Sequence, residues 1–168
     1  MVATAADTDR AWRVLQQVPD PEVPALSVCE LGIVREVIAQ GQGLEVVLTP
    51  TYSGCPATEL IAQSVHDALA AAGYDPVTIT TRRAPAWTTD WISEDGRRKL
   101  REYGIAPPSG HAAVHEGPVP IRIQVRGVDC PRCGSSNTER LSAFGSTACK
   151  ALYRCLACRE PFEHFKPI

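Results

Sequence analysis

The sequence predicts an α+β fold, with a small two-layer domain of helices and a β-sheet followed by a β-ribbon built around C-terminal cysteines. Three observations indicate this. Up to residue 81 the hydrophobic periodicity alternates in the order α-β-β-α-β. Two Cys-x-x-Cys pairs lie near the C-terminus. Residues 130–168 carry six Lys or Arg against three Asp or Glu, whereas the remainder carries eleven against sixteen. This uneven charge favours two modules.

The first module is predicted to contain two helices and three strands. The first helix is capped by Thr8 or Asp9 and ended by Pro19 and Pro21. The other elements are strands over 33–39 and 44–49, a helix over 56–72 and a strand over 77–81. Gly41 and Gly43 lie between the first two strands, which indicates a hairpin. Pro56 suits the first position of the second helix, and Gly73 suits the position just after its end.

The chain between the two modules contains one more helix and a linker. Ser93, followed by two acidic residues, is predicted to open a short helix that Gly104 closes. Prolines and glycines between residues 105 and 120 are typical of a linker. Ile121, Ile123 and Val125 alternate with polar residues, as in a strand. The predicted organisation is a domain over 1–104, a linker over 105–120 and a ribbon over 121–168.

Composition indicates a soluble protein of the cytoplasm. Hydrophobic residues make up 44% and charged residues 21% of the chain, so it can bury a core. A net charge of −2 gives no general attraction to nucleic acid or membranes. No apolar run approaches the roughly 20 residues of a membrane span, and the N-terminus does not resemble a signal peptide. In a reducing compartment, seven cysteines are expected to be ligands or reactive thiols rather than disulfides.

The most specific motif is the pair of Cys-x-x-Cys sequences, Cys130–Cys133 and Cys155–Cys158, with 21 residues between them. Each can form a tight turn that points two thiolates at one ion, and two turns complete a tetrahedral shell. Such a shell leaves no position for substrate, so the sequence predicts a structural Zn²⁺ in a β zinc ribbon. Iron is the minority alternative, because a set of four sulfur ligands does not by itself determine which metal is bound. Nucleic-acid binding is disfavoured, because basic residues do not alternate with aromatic ones there.

Cys55 is the residue predicted to carry the chemistry. The pattern places it at the N-cap of the helix over 56–72, where unpaired N–H groups and the helix dipole favour a thiolate. Its flanking residues, Gly54 and Pro56, predict a tight turn. The alternative is that Cys55 is a small buried packing residue.

Two acidic residues and two further cysteines are secondary candidates. Asp20 and Glu22 lie in a proline-bounded loop and can be metal ligands, a partner-binding edge or, as the simpler interpretation, a solvated loop in which Asp20 caps a turn. Cys29 is expected to be a packing residue. Cys149, between the two Cys-x-x-Cys pairs, can replace a ligand or face a partner. His111 and His115 fall in the linker and are expected to be solvent-exposed.

Motifs of common enzyme classes are missing from the sequence. It has no phosphate-binding glycine loop, no Gly-x-Ser-x-Gly turn, no His-Glu-x-x-His and no Glu-x-x-His pairs. The sequence therefore does not predict an enzyme of any of these classes.

Two sets of residues resemble known families. Asp20-Pro-Glu-Val-Pro24, Leu31-Gly-Ile-Val34 and Thr49–Ala57 resemble the iron–sulfur assembly domain of SufT-like proteins. The segments around Cys130–Gly134, Phe144–Lys150 and Cys155–Phe162 resemble the PaaD (or PaaJ) family of phenylacetyl-CoA epoxidase accessory subunits, and this likeness extends over residues 8–168.

The resemblance implies an accessory role in aerobic phenylacetate catabolism. The epoxidase of that system is a multi-subunit di-iron oxygenase, which receives electrons through a reductase that carries flavin and an iron–sulfur cluster. A PaaD-like protein is implied to help to mature a metal centre of this complex, with the iron–sulfur reductase component as its expected partner. The functional cysteine of the assembly family corresponds to Cys55 and its acidic loop to Asp20 and Glu22. No family role extends to Cys29, whereas the match around Cys149 makes it a candidate functional residue.

Two interpretations follow from these observations. In the first, Cys55 transiently holds iron or an iron–sulfur cluster and hands it over, while the ribbon provides structure and docks the client. A single cysteine cannot supply four cluster ligands, so a second protomer of a homodimer, the client or glutathione would complete the shell. In the second, the protein is an interaction subunit of the oxygenase complex and transfers no metal. A thiol enzyme is disfavoured because no histidine is evident near Cys55.

Overall fold

A computed structural model describes residues 5–41, 43–52, 54–109 and 127–168 of the chain. They fall into two compact units, the first comprising residues up to 87 together with 91–96, and the second comprising residues 88–90 and 97 onward. His111, His115 and the predicted strand around Ile121, Ile123 and Val125 lie outside the described residues. No helix of the described part is long and apolar enough to cross a membrane.

The first unit is a three-stranded sheet with helices packed against it. Its elements are α1 (Ala5–Leu15), β1 (Val34–Gln40), β2 (Gly43–Leu48), α2 (Thr58–Ala71) and β3 (Val77–Thr81). The sheet order is β1-β2-β3, with an antiparallel β1–β2 hairpin and parallel β2 and β3. The predicted order α-β-β-α-β and the two-layer α+β class are confirmed.

The sequence pattern predicted the end of α2 correctly but not the start of α1. Ile61, Val65 and Leu69 follow one face of α2 and are buried, as helical spacing requires. Gly73 lies just beyond the C-cap with φ 91°, which confirms the predicted glycine stop. In contrast, α1 begins at Ala5, so the predicted cap at Thr8 or Asp9 is wrong. The helix includes both residues because neither interrupts its hydrogen-bond ladder.

A short 3₁₀ turn (Thr89–Trp91) and α3 (Glu94–Tyr103) follow the first sheet. Ser93 Oγ accepts the Gly96 N–H at 3.0 Å, and Gly104 has φ 93°, so the predicted start and end of this helix are confirmed.

The second unit contains a four-stranded sheet built from β4 (Ile105–Ala106), β5 (Thr138–Ser142), β6 (Lys150–Cys155) and β7 (Pro161–Phe165). The strand order is β4-β7-β6-β5, with antiparallel β5–β6 and β6–β7 pairs and a parallel β4–β7 pair. β5 and β6 coincide closely with the strands expected of a ribbon. β4, however, lies at the start of the segment predicted as linker, where two residues are too few to show a period.

Candidate functional site

Four cysteines of the second unit form a metal-binding constellation. The Sγ atoms of Cys130, Cys133, Cys155 and Cys158 all lie within 4.8 Å of one another. The Sγ atoms of Cys130 and Cys158 are 3.8 Å apart, and those of Cys133 and Cys155 are 3.6 Å apart. A tetrahedral Zn²⁺ with bonds of about 2.3 Å requires sulfur atoms about 3.8 Å apart. The four thiols therefore fit a structural zinc ion.

The two Cys-x-x-Cys turns share one backbone design. Cys130 N–H donates to Ser135 O and Cys155 N–H donates to Glu160 O, each at 3.0 Å and each spanning five residues. The residue after each second cysteine is in the left-handed region, namely Gly134 with φ 73° and Arg159 with φ 68°. This reversal turns the chain back behind the thiols, so each pair points at one ion.

The electrostatics of the cluster favour a bound cation. Backbone N–H groups of Cys158 and Ala157 point at Cys155 Sγ and lower the pKa of this thiol to about 6. At Cys158 the Glu160 N–H acts in the same direction, but burial and the neighbouring thiols outweigh it and raise the pKa to about 12. Four thiolates cannot coexist here without a counter-charge, and a divalent ion supplies it.

A small hydrophobic core packs around Cys130, Cys155 and Cys158, whereas Cys133 is exposed. Ala106, Val128 and Phe162 are buried together with Cys130 and Cys155. The Tyr153 ring packs against them and stacks on Phe162, with ring centroids 5.8 Å apart. Tyr153 and Phe162 therefore pack around the cysteines, as expected for a segment too small to fold without metal.

Cys55 lies where three loops meet at one end of the first sheet. β1 begins beside the end of β2, because Val34 pairs with Leu48, and β3 ends there too, because Leu48 pairs with Thr81. The residues before β1, the loop with Cys55 after β2 and the segment after β3 therefore share this end. Half-buried Cys55 is in the middle one of these loops.

The predicted N-cap position of Cys55 is wrong. α2 begins at Thr58 with Ala57 as its N-cap. Cys55 O accepts the Thr58 N–H at 3.3 Å and its hydroxyl at 2.9 Å, which is a turn rather than a helical bond. The regular ladder starts only with Ile61 N–H to Ala57 O, at 2.8 Å. The thiol thus precedes the helix by two residues more than the motif suggested.

The acidic loop before β1 is organised by Asp20. Its side chain is buried, and Oδ1 accepts the N–H groups of Glu22 at 2.9 Å and Val23 at 2.8 Å. Asp20 therefore caps a turn, as the simpler interpretation expected, but it is buried rather than solvated. Glu22 is half-buried. The described residues contain no group of three or more ligand-type side chains apart from the four ribbon cysteines, so Asp20, Glu22 and Cys55 do not make a closed metal site.

Cys29 lies in a short turn that Ser27 and Glu30 close reciprocally. Ser27 N–H donates to Glu30 Oε2 at 2.9 Å, and Glu30 N–H donates to Ser27 Oγ at 3.1 Å. Burial, reinforced by the Glu30 charge, raises the pKa of the Cys29 thiol to about 12. A neutral thiol agrees with the packing role expected for Cys29.

Two tryptophans that sequence reasoning left without a role support this turn. The Trp87 indole N–H donates to Leu31 O at 2.9 Å and is buried. The Arg35 guanidinium lies 3.5 Å from the centre of the Trp91 ring. Two tryptophans in a polar segment were a signal that could have revealed this role, because exposed loops seldom use such large apolar side chains.

Cys149 is not a fifth member of the metal cluster. It is buried in the loop between β5 and β6, with Sγ 3.0 Å from Thr147 Oγ1. The next residue, Lys150, is also buried and pairs with Glu163 at 3.0 Å. Sequence reasoning missed this ion pair, because Lys150 and Glu163 are adjacent only after β6 and β7 have paired. A role for Cys149 remains a prediction.

Comparison with known families agrees with both modules. Residues 8–80 match the family described as "Iron-sulfur cluster assembly protein", and residues 118–166 match the "PaaD zinc beta ribbon domain". The structure is also similar to a domain of unknown function, DUF59, from Bacillus anthracis, with a TM-score of 0.52 at 23% identity over 55% of this chain and 89% of that one. The two family matches thus divide the chain into a module similar to iron–sulfur cluster assembly proteins and a module similar to the PaaD zinc ribbon.

Two relatives narrow the assignment. The chain is 50% identical over 157 residues to a putative 1,2-phenylacetyl-CoA epoxidase subunit of Escherichia coli, covering 94% of this chain and 91% of that one. It is 32% identical over 90 residues to an Fe-S protein maturation auxiliary factor of Porphyromonas gingivalis, covering 52% and 85%. The chain therefore belongs to the PaaD family of phenylacetyl-CoA epoxidase subunits.

Proposed function

We propose that this protein is a cytoplasmic, non-catalytic maturation factor of the phenylacetyl-CoA epoxidase of aerobic phenylacetate catabolism. It assists insertion of iron or an iron–sulfur cluster, with the iron–sulfur reductase component as its client. The observation that carries the proposal is the combination, in one chain, of an assembly-domain match over residues 8–80 and 50% identity to a putative epoxidase subunit.

Cys55 is the residue proposed to bind the metal in transit. Its thiol is half-buried and lies at the sheet end where three loops meet. Soft thiolates bind iron and iron–sulfur clusters, and the thiol gives up its proton on binding and takes one back on release. Asp20 shapes the acidic loop that precedes β1, and Glu22 of this loop is proposed as a hard carboxylate ligand.

The incomplete ligand set suits a transient site. Among the described residues, no group of three ligand-type side chains includes Cys55. Four protein ligands would hold a metal firmly, whereas one cysteine needs ligands from the client, a second protomer of a homodimer or glutathione. Exchange of those ligands on docking would favour release to the client.

The ribbon has a different part in this proposal. Four cysteines bind zinc permanently and leave no coordination position for chemistry. The ion therefore stabilises the second unit, which in turn presents surfaces to the epoxidase. Zinc is proposed here over iron because the matched ribbon family is described as a zinc ribbon.

The maturation role can be tested by client loading. The epoxidase components would be co-expressed with wild-type protein, Cys55→Ala or Cys55→Ser, and the purified reductase and oxygenase would be analysed for iron, acid-labile sulfide and cluster absorbance. We expect several-fold less loading with either Cys55 variant. Cys29→Ala is the matched control, since it removes another half-buried thiol from the same unit and should leave loading intact. Full loading with both Cys55 variants would contradict the role of Cys55.

A second function is favoured by the same incomplete ligand set. The protein could be an interaction subunit that steadies the epoxidase complex and transfers no metal, since a single thiol is a poor cluster carrier. Expression without the protein separates the two functions. If the protein is a maturation factor, the client expressed without it should contain less metal. If it is an interaction subunit, the client should be fully loaded, but the components of the complex should dissociate more readily.

A further inference from the structure

The loop over residues 143–149 is held in one shape by a buried ion pair. Lys150 Nζ lies 3.0 Å from Glu163 Oε2, and the Lys150 side chain is 3% exposed. Glu163 also accepts the Ser146 backbone N–H, and the Ser146 hydroxyl at 3.1 Å. Gly145 packs so closely that a Cβ there would lie 2.5 Å from Glu163 Oε1. Burying the Lys150 charge, with Glu163 22% exposed, costs desolvation that apolar residues would avoid, so this arrangement specifies the loop's shape more than it adds stability.

Further hydrogen bonds fix both ends of the same loop. Phe144 N–H donates to Ser142 Oγ at 3.1 Å, and Lys166 Nζ donates to Ala143 O at 3.3 Å. At the other end, Lys166 N–H donates to Cys149 O at 2.9 Å. The loop is therefore preorganised, and little conformational entropy would be lost in ordering it against a partner.

This rigid loop and the strand before it expose two large apolar side chains. Phe144 is 64% exposed and Leu141 is 50% exposed. Leu141 is the extra residue of a β-bulge, because Arg140 pairs with Tyr153 whereas Ser142 pairs with Leu152. Bulges re-aim side chains and are frequent at functional edges. The Lys166 ammonium lies 4.6 Å from the centre of the Phe144 ring and supports it from one side.

The charge of residues 130–168, which include these side chains, indicates the kind of surface that would cover them. Lys150 and Arg154 are neutralised by Glu163 and Glu139. The remaining charged residues from 130 onward are four basic and one acidic, namely Arg132, Arg140, Arg159, Lys166 and Glu160. A second copy docked ribbon to ribbon would bring like charges together, which is unfavourable. An acidic protein surface with an apolar pocket is complementary.

We propose that Phe144 and Leu141, presented by the 143–149 loop and flanked by Arg140 and Lys166, dock this protein onto an acidic surface of an epoxidase component. The inference rests on the proposed function for the identity of the partner. Phe144 is the central contact, because rigid aromatic residues that become fully buried dominate binding energy. The basic residues around it accelerate association and fix orientation.

Binding of the zinc-loaded full-length chain to purified reductase and oxygenase components tests the proposal. Phe144→Ala should raise the dissociation constant about 30-fold, as expected for the loss of a central aromatic contact. Tyr103→Ala is the matched control, because Tyr103 is an aromatic residue of the same unit that is 58% exposed and lies outside the loop. The Tyr103→Ala variant should bind with wild-type affinity. Arg140→Glu should slow association, and more so at low salt. Zinc content and circular dichroism confirm that each variant is folded.

The outcomes separate docking from maturation. In a binding assay without iron, Cys55 has no metal to share with the client, so Cys55→Ser should bind the component with wild-type affinity. A failure of the maturation role then leaves the docking result unaffected. Unchanged affinity of folded Phe144→Ala overturns the proposal. It is also overturned if the wild-type chain binds no epoxidase component, or if sedimentation shows that Phe144→Ala disrupts a homodimer instead.

Discussion

Gly134 and Arg159 occupy the same position in the two Cys-x-x-Cys turns and share one backbone conformation, with φ of 73° and 68°. Glycine adopts this left-handed region without strain, whereas for a residue with a Cβ it costs about 1–2 kcal/mol. The ribbon therefore contains one relaxed turn and one strained turn around the same ion.

Substitution of Gly134 and substitution of Arg159 should change the zinc affinity in opposite directions. Folding of the ribbon is coupled to zinc binding, so backbone strain appears as lost affinity. Gly134→Ala, which meets no atom within 4 Å, should weaken zinc binding about fivefold from conformational strain alone. Arg159→Gly should strengthen it slightly, because relief of strain exceeds the added freedom of the unfolded chain. Competition with a chelator measures both, and equal effects of the two changes would contradict the strain argument.

Gly32 and Gly41 allow a similar comparison in the first unit. Both have positive φ, of 69° and 59°, but only Gly32 packs against another segment, where a Cβ would lie 2.7 Å from Trp91 O. We expect Gly41→Ala to lower the free energy of unfolding by about 1 kcal/mol and Gly32→Ala by about 3 kcal/mol, since the second also displaces backbone. Urea denaturation compares them. Equal losses would show that Trp91 yields easily.

The sequence predicted those parts of the protein in which local pattern and tertiary structure agree. β3 has the bounds predicted for it, and Ser93 and Gly104 delimit α3 as expected. The ribbon ligands were evident because their spacing directly encodes two turns. Such features depend on neighbours in sequence, which a pattern displays.

The errors arose where contacts distant in sequence decide the structure. β4 has only two residues and exists because Ile105 and Ala106 pair with β7. The position of Cys55 is the exception, because a local turn decided it: the Thr58 hydroxyl donates to the Cys55 carbonyl group before α2 begins. The Lys150–Glu163 pair requires that β6 and β7 be in register, so the 143–149 loop could not be distinguished from an ordinary polar turn.

His164 should make the stability of the second unit sensitive to acid. Its Nε2 is buried and has no hydrogen-bond partner among the described residues, and burial lowers the pKa of the imidazole from 6.5 to about 4. As the pH falls below about 6.5, the imidazole binds a proton in the unfolded chain but not in the folded chain. The free energy of unfolding therefore decreases progressively down to about pH 4. His164→Leu should remove this component.

Chemical denaturation of zinc-loaded wild type and His164→Leu at about pH 7 and about pH 5 tests this expectation. Both chains retain the four cysteines, so acid release of zinc affects them equally and cancels in the difference. The variant should gain relative stability at the lower pH. Parallel pH profiles would mean that water or a residue outside the described ranges partners the imidazole.

Removal of the metal should unfold the ribbon and leave the first sheet intact. Wild-type protein should contain close to one zinc per chain, and Cys133→Ser should lose it, because three thiols and a distant hydroxyl do not complete the tetrahedral shell. Without the ion, β4 loses its partner β7. Limited proteolysis should then begin near residue 105 and leave a stable fragment that contains β1–β3, identified by mass spectrometry.

Cys29→Ser, in the first unit, should keep its zinc and its resistance to protease. A Cys133→Ser protein that stays resistant beyond residue 105 would show that hydrophobic packing alone sustains the second unit, and an equimolar iron content would revise the metal while leaving the four-sulfur geometry in place.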